Sequence, residues 1–140
     1  MNITVLQLGM LQTNCYILSR MDRCLVIDPG GEPEVVLDFL EAHGLRPEAI
    51  LLTHGHFDHV GGVRALAAET DCPVYLCEED LTLPSAMTSG PLYYTNSYGE
   101  GDCFTLADMT FTVLHTLFRR RSTRKTAKVP KLLQKLNSVI

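Results

Sequence analysis

Three histidines and one aspartate fall within six residues of the segment Thr53-His54-Gly55-His56-Phe57-Asp58-His59-Val60-Gly61-Gly62. Neutral imidazoles and carboxylates bind cations, and clustering so many titratable groups is costly unless a bound charge holds them together. The segment follows Ala49 to Thr53, an apolar run expected as a buried central strand. If that strand continues, His54 and His56 point the same way and can share one cation. Asp58 and His59 then lie beyond a bend and can face a second position. Phe57 can fill the hydrophobic side of the turn, while Gly61 and Gly62 let the backbone come close as the next helix begins. Imidazole and carboxylate without thiolate suit Zn, Fe or Mn.

The elements that must position this cluster follow from hydrophobic periodicity. Ile3 to Leu8, Cys15 to Leu18 and Cys24 to Ile27 read as strands, the last stopped by the turn Asp28-Pro29-Gly30-Gly31. Pro33 suits the first position of a helix that carries Val35, Val36, Phe39 and Leu40 on one face and ends at Gly44. Val60 to Glu69 returns to helical spacing, and Val74 to Cys77 reads as another strand. Glu78, Glu79 and Asp80 suit the first turn of a short helix, after which an aperiodic loop is expected to about Gly101. Cys103 to Leu106 and Thr110 to Leu114 predict a hairpin joined by Ala107-Asp108. The alternation implies a mixed, layered α/β fold.

At 140 residues, 46% hydrophobic and 20% charged, the chain has the composition of one globular domain, which excludes wholesale disorder and a collagen-like repeat. The nearly uncharged stretch Leu81 to Gly99 is broken by Pro84, Gly90 and Pro91, so it is not expected to span a membrane. The N-terminal residues carry neither a basic nor an apolar signal region, so a cytoplasmic, reducing location is expected. The five cysteines show no CxxC spacing and are expected as reduced, core-filling thiols, a zinc site from Cys72 and Cys77 being poorly motivated.

THGHFDHVGG matches the HxHxDH signature of the metallo-β-lactamase-fold hydrolases. Thr13-Asn14-Cys15-Tyr16-Ile17-Leu18 and Val26-Ile27-Asp28-Pro29-Gly30-Gly31 resemble two upstream segments of the glyoxalase II-like (hydroxyacylglutathione hydrolase-like) branch, and Val113-Leu114-His115-Thr116 resembles the start of its next motif. The resemblance covers residues 1–116. It implies the first part of an αββα sandwich with a dinuclear site, zinc in the family with iron or manganese as alternatives. His54 and His56 would bind the first cation, and Asp58 and His59 the second. A hydroxide between the cations would attack a thioester or ester carbonyl, with Asp58 orienting it and handling its proton. Asp28 would support the ligand loop from behind, or else be a plain strand-to-turn aspartate.

The chain departs from that pattern after Thr116. Where the family has Pro-Gly-His-Thr, this sequence has Leu117, Phe118 and Arg119, and a guanidinium repels a cation. No histidine follows His115 and no aspartate follows Asp108, so four of seven expected ligands are present. His115 could swing in as a substitute or sit outside the site at a strand end. Charge changes at the same place. Residues 1–116 hold sixteen acidic residues against four basic ones, net −12, whereas residues 117–140 hold eight basic residues and no acid, net +8. The expectation is a partial domain over 1–116, then a basic tail that is a replaced C-terminus or a genuine extension, disordered or a short helix after Pro130. Two functions follow. One is a metal-dependent thioester or ester hydrolase, impaired as written, with a small-molecule substrate. The other is a non-catalytic remnant whose tail grips nucleic acid or an anionic membrane.

Overall fold

The computed structural model describes residues 1–117 and 128–131. Six strands form a central mixed sheet in the sequence order β1 (Asn2–Leu8), β2 (Thr13–Arg20), β3 (Arg23–Ile27), β4 (Arg46–Leu51), β5 (Val74–Cys77) and β6 (Asn96–Tyr98). β1, β2 and β3 pair antiparallel; β3, β4, β5 and β6 pair parallel. The parallel pairs need crossovers, which helices supply: α1 (Pro33–Ala42) between β3 and β4, and α2 (Phe57–Val60) with α3 (Val63–Thr70) between β4 and β5.

Strand periodicity sorts the core into two layers. Cys24, Val26, Ile50, Leu52, Val74 and Leu76 pack against Val36 and Leu40 of α1 and Val63, Leu66 and Ala67 of α3. The intervening residues Leu25, Ile27, Ala49 and Leu51 face the other way, onto Ala107, Met109 and Phe111. These last belong to a hairpin of β7 (Cys103–Leu106) and β8 (Met109–Thr112), whose turn residues Ala107 and Asp108 both have positive φ, at 50° and 57°. A sheet covered on both faces explains why its strands read as continuous apolar runs. The hairpin is pinned at its turn. Glu48 accepts the Ala107 N–H and pairs with Arg23 at 2.7 Å, and Arg20 donates to the Asp108 carbonyl at 2.8 Å. The layered α/β expectation is met.

Several local expectations need correction. β4 ends at Leu51, two residues before Thr53, so His54 and His56 lie on a loop. The long loop expected from Leu81 to Gly101 contains α4 (Ser85–Thr88) and β6, both too short for periodicity to reveal. Four cysteines are buried thiols, but Cys103 is exposed, because on its strand Phe104 and Leu106 take the inward positions. β9 (Leu114–Leu117) crosses the composition boundary and pairs antiparallel with β10 (Lys128–Lys131). Those four tail residues are a strand rather than a disordered or helical segment. Pro130 has no N–H to give to a helix, whereas a two-stranded edge tolerates it. The helix expected after Pro130 lies outside the described residues. Among the described residues no helix is long and apolar enough to cross a membrane.

Candidate metal centre

The loop between β4 and α2 carries the four residues singled out by spacing. His54 and His56 meet edge to face with ring centroids 4.7 Å apart, and the His54 and His59 rings lie 3.9 Å apart. His59 Nε2 lies 3.4 Å from Asp58 Oδ2. The four therefore converge, although through a turn and one helical start rather than through strand alternation.

Asp28 is the hub behind them. It is 3% exposed and has φ 53°, a left-handed conformation that aspartate tolerates better than most residues. Its N–H donates to the Leu51 carbonyl at 3.0 Å. Its Oδ1 accepts the Thr53 N–H at 2.7 Å, and its Oδ2 accepts both the Thr53 hydroxyl and His59 Nδ1–H, the latter at 2.9 Å. Three donors satisfy a buried carboxylate whose exposure to water has been lost.

These bonds decide the imidazole tautomers. Because an ionised carboxylate can only accept, the Thr53 hydroxyl spends its proton on Asp28 and accepts from His54 Nδ1–H, 3.0 Å away. His54 Nε2 is then the lone-pair nitrogen. His59 likewise gives its Nδ1–H to Asp28, which in the neutral ring leaves the lone pair on Nε2, the nitrogen beside Asp58 Oδ2. Burial, helped by the neighbouring His59, pulls the His54 pKa down to about 4, so its ring is neutral near pH 7. Burial opposes charge on His59 too, but the Asp28 bond and the charges of Asp28 and Asp58 outweigh it and raise its pKa. The same electron donation makes its nitrogen a better metal ligand.

The glycines are structural requirements of the site. A Cβ on Gly30 would stand 1.9 Å from the Asp58 carbonyl oxygen, and one on Gly61 2.3 Å from the Gly30 carbonyl oxygen. The Asp28-Pro29-Gly30-Gly31 turn thus packs backbone to backbone on the ligand loop, and the Gly62 N–H donates to the Pro29 carbonyl at 2.8 Å.

Four supporting residues escaped the sequence reading. Thr13 Oγ1 donates to Asp58 Oδ2 at 3.1 Å, which gives the first residue of TNCYIL a task. Glu32, at φ 45°, accepts the Gly9 N–H at 2.8 Å and ties the β1–β2 turn to the Asp28 turn. Tyr98, buried, donates its hydroxyl to the Leu52 carbonyl just before the loop, and burial pushes its pKa up. Asp80, also buried, accepts the Gly55 N–H at 2.9 Å. Only Thr13 carried any signal, through its motif; the others are polar residues in stretches that look like ordinary turns or strands.

Among the described residues Asp28, His54 and His59 form a group whose ligand atoms all lie within 4.8 Å of one another. Asp28 in this group already accepts three hydrogen bonds, from the Thr53 N–H, the Thr53 hydroxyl and His59. A neutral His54 imidazole beside His59 and a carboxylate held by Thr13 offers donors that fit a divalent ion such as zinc or iron. Cys72 and Cys77 do not form a second site: Cys72 bonds the Pro47 carbonyl, and Cys77 packs in a different cluster with Tyr98 and Val113.

The Metallo-beta-lactamase superfamily pattern matches residues 8–118. The chain belongs to this superfamily. It is 40% identical over 100 residues to a hydroxyacylglutathione hydrolase of Bdellovibrio bacteriovorus, a match that covers 68% of this chain and 36% of the relative. The fold is similar to the BLEG-1 B3 metallo-beta-lactamase, with TM-score 0.73, 34% identity, and coverage of 82% of this chain and 61% of that one. It is also similar to TTHA1623 in a di-iron-bound form, with TM-score 0.65, 39% identity, and coverage of 80% and 60%. The chain therefore spans about a third of the hydroxyacylglutathione hydrolase and three fifths of the two solved structures. Its mixed sheet, crossover helices and docked hairpin correspond to the N-terminal part of the metallo-β-lactamase fold.

Proposed function

We propose that this chain carries the nucleophile-generating half of a glyoxalase II-like hydrolase acting on a small-molecule thioester or ester. The observation that carries the proposal is the arrangement of His59 and Asp58, with ligand atoms 3.4 Å apart and each held from behind, by Asp28 and Thr13 respectively. His54 and His56 would hold the first divalent cation, Asp58 and His59 the second, zinc by family habit, with iron as found in the di-iron relative. When bound, such cations lower the pKa of water and polarise a carbonyl.

The chain's own residues then do three things. Asp28, through Thr53 and His59, keeps both imidazoles in the tautomer that presents Nε2. Thr13 holds one Asp58 oxygen, which fixes the carboxylate plane so that the other oxygen can orient the attacking water and take its proton. Leu83 and Leu92 form an apolar wall beside Gly55 and line a cavity of about 340 Å³, which suits the acyl side of a substrate.

The ligand set is incomplete within these 140 residues, since Leu117, Phe118 and Arg119 stand where the family pattern supplies Pro-Gly-His-Thr. Two protein ligands per cation hold metal weakly, so the chain alone turns over S-lactoylglutathione near background. Metal content by elemental analysis, with thioester hydrolysis measured on the same sample, tests this. Substoichiometric zinc that His54→Ala abolishes is the expected result. Two tightly held equivalents with ready turnover would overturn the impairment, and no metal at all would overturn the proposal.

A further inference from the structure

Asp80 sits in the 3-10 turn Glu78–Thr82 that follows β5, far from the ligand loop in sequence, and is 5% exposed. Its Oδ2 accepts the N–H of Gly55, the residue between His54 and His56, in a buried bond of 2.9 Å. The other side of Gly55 is equally constrained. A Cβ there would lie 2.9 Å from Leu92 Cδ1 and 3.4 Å from Leu83 Cδ1, and Leu83 is held to the same turn by its N–H on the Asp80 carbonyl at 3.0 Å.

We propose that Asp80 is a positioning residue for His54 and His56: a buried carboxylate that fixes the peptide between them and thereby sets the spacing at which two imidazoles can share a cation. Asp28 fixes the loop on the Thr53 and His59 side, through the Thr53 N–H, the Thr53 hydroxyl and His59 Nδ1. Asp80 fixes the alternate amide, two residues on. A glycine in a loop has the widest conformational choice of any residue, so the bond to Asp80 is what fixes the orientation of the peptide joining the two histidines. A buried carboxylate is costly, and its placement on this amide gives it a function that a simple turn residue lacks. The inference rests on the reading that His54 and His56 share a cation.

Zinc affinity of the full chain, measured by competition with a chromophoric chelator, and hydrogen exchange at the Gly55 amide test it together. Asp80→Leu removes the acceptor and is expected to weaken zinc binding about tenfold or more, as other residues behind metal ligands do, and to deprotect Gly55. Asp80→Asn keeps an acceptor oxygen and is expected to remain within about threefold of the parent, a rescue that packing alone does not explain. Should Asp80→Leu fail to fold, Asp80→Glu keeps the charge but displaces the oxygen by a methylene, and it is expected to lower zinc affinity at least threefold. Zinc affinity unchanged in the folded Leu or Glu variant, or lost equally in the Asn and Leu variants, would overturn the inference while leaving the hydrolase reading intact. A parent chain that binds no zinc would overturn both.

Discussion

The ligand loop, which leaves the central strand β4, and the segment around Val113 to Leu117, which runs from the hairpin into the separate two-stranded β9–β10 sheet, are built very differently. From Thr53 to Gly62 the backbone is gripped by two buried carboxylates and three close glycine contacts, and Thr13 holds the Asp58 side chain. At Val113 the chain is still anchored, with its N–H on the Asp102 carbonyl at 2.8 Å and its side chain packed with Cys77 and Tyr98. Beyond it, β9 pairs with the basic strand β10, and the ligand-bearing turn of the family pattern is replaced by Leu117-Phe118-Arg119. In the first segment the ligand atoms of Asp28, His54 and His59 already lie within 4.8 Å of one another; the second carries a scaffold strand and, in sequence, Leu117, Phe118 and Arg119. The order of the ligand loop is therefore local, carried by the bonds that Asp28 and Asp80 make to it.

The sharpest way to exploit that difference is to complete the segment after Thr116. Replacing the residues after Thr116 with a family C-terminus containing Pro-Gly-His-Thr is expected to raise S-lactoylglutathione hydrolysis by at least about 100-fold, the scale set by one well-placed electrostatic contact to a transition state. No gain in a folded, metal-loaded graft would mean that the ligand loop is not in working order.

Breaking the ligand loop's packing gives the next largest effect. Gly30→Ala drives a methyl into the Asp58 carbonyl at 1.9 Å, so the two turns must separate. Urea denaturation should show a loss of about 3 kcal/mol or more, together with loss of zinc retention. A near-normal midpoint would show that the two turns are not locked together.

Asp28→Asn is subtler, because the shape is kept while one of three donors meets an amide NH₂ in place of an oxygen. A buried donor left without an acceptor costs about 1–3 kcal/mol, and metal affinity should fall about 10- to 100-fold. NMR of the His54 and His59 ring nitrogens should then report mixed tautomers; unchanged tautomers would remove Asp28 from its assigned role.

Thr13→Val is the smallest. It deletes one part-buried hydroxyl from Asp58, so stability should change by about 1 kcal/mol. The expected signature is in metal occupancy: the Asp58 and His59 position should weaken more than the His54 and His56 position. Equal weakening of both would argue that Thr13 supports the loop generally.

Residue types and their order were enough to mark the cluster, the Asp28 turn, the three-stranded start, the helix from Pro33, the helical stretch expected over Val60 to Glu69, which the structure divides between α2 and α3, and a hairpin expected over Cys103 to Leu106 and Thr110 to Leu114, whose second strand lies at Met109–Thr112. Each rests on a short-range rule: period 2 in strands, period 3.6 in helices, glycine and proline at turns, and the cost of crowding histidines without a cation. What misled was the assumption that β4 runs on through Thr53. Strand alternation would have brought His54 and His56 together by itself; the strand stops at Leu51, and a turn folded over Asp28 does it instead.

The roles of Thr13, Glu32, Asp80 and Tyr98 could not be read in advance, because each acts on a backbone or side-chain group between 23 and 46 residues away. A lone acid after a strand looks the same in sequence whether it caps a turn in water or accepts a buried amide between two ligands. Local composition determined which chemistry this protein can attempt, since ligand type and spacing are written within six residues. Tertiary structure alone decided which ring nitrogens carry a proton, because tautomer and ring orientation depend on hydrogen bonds from strands and turns that meet the loop only in the folded chain.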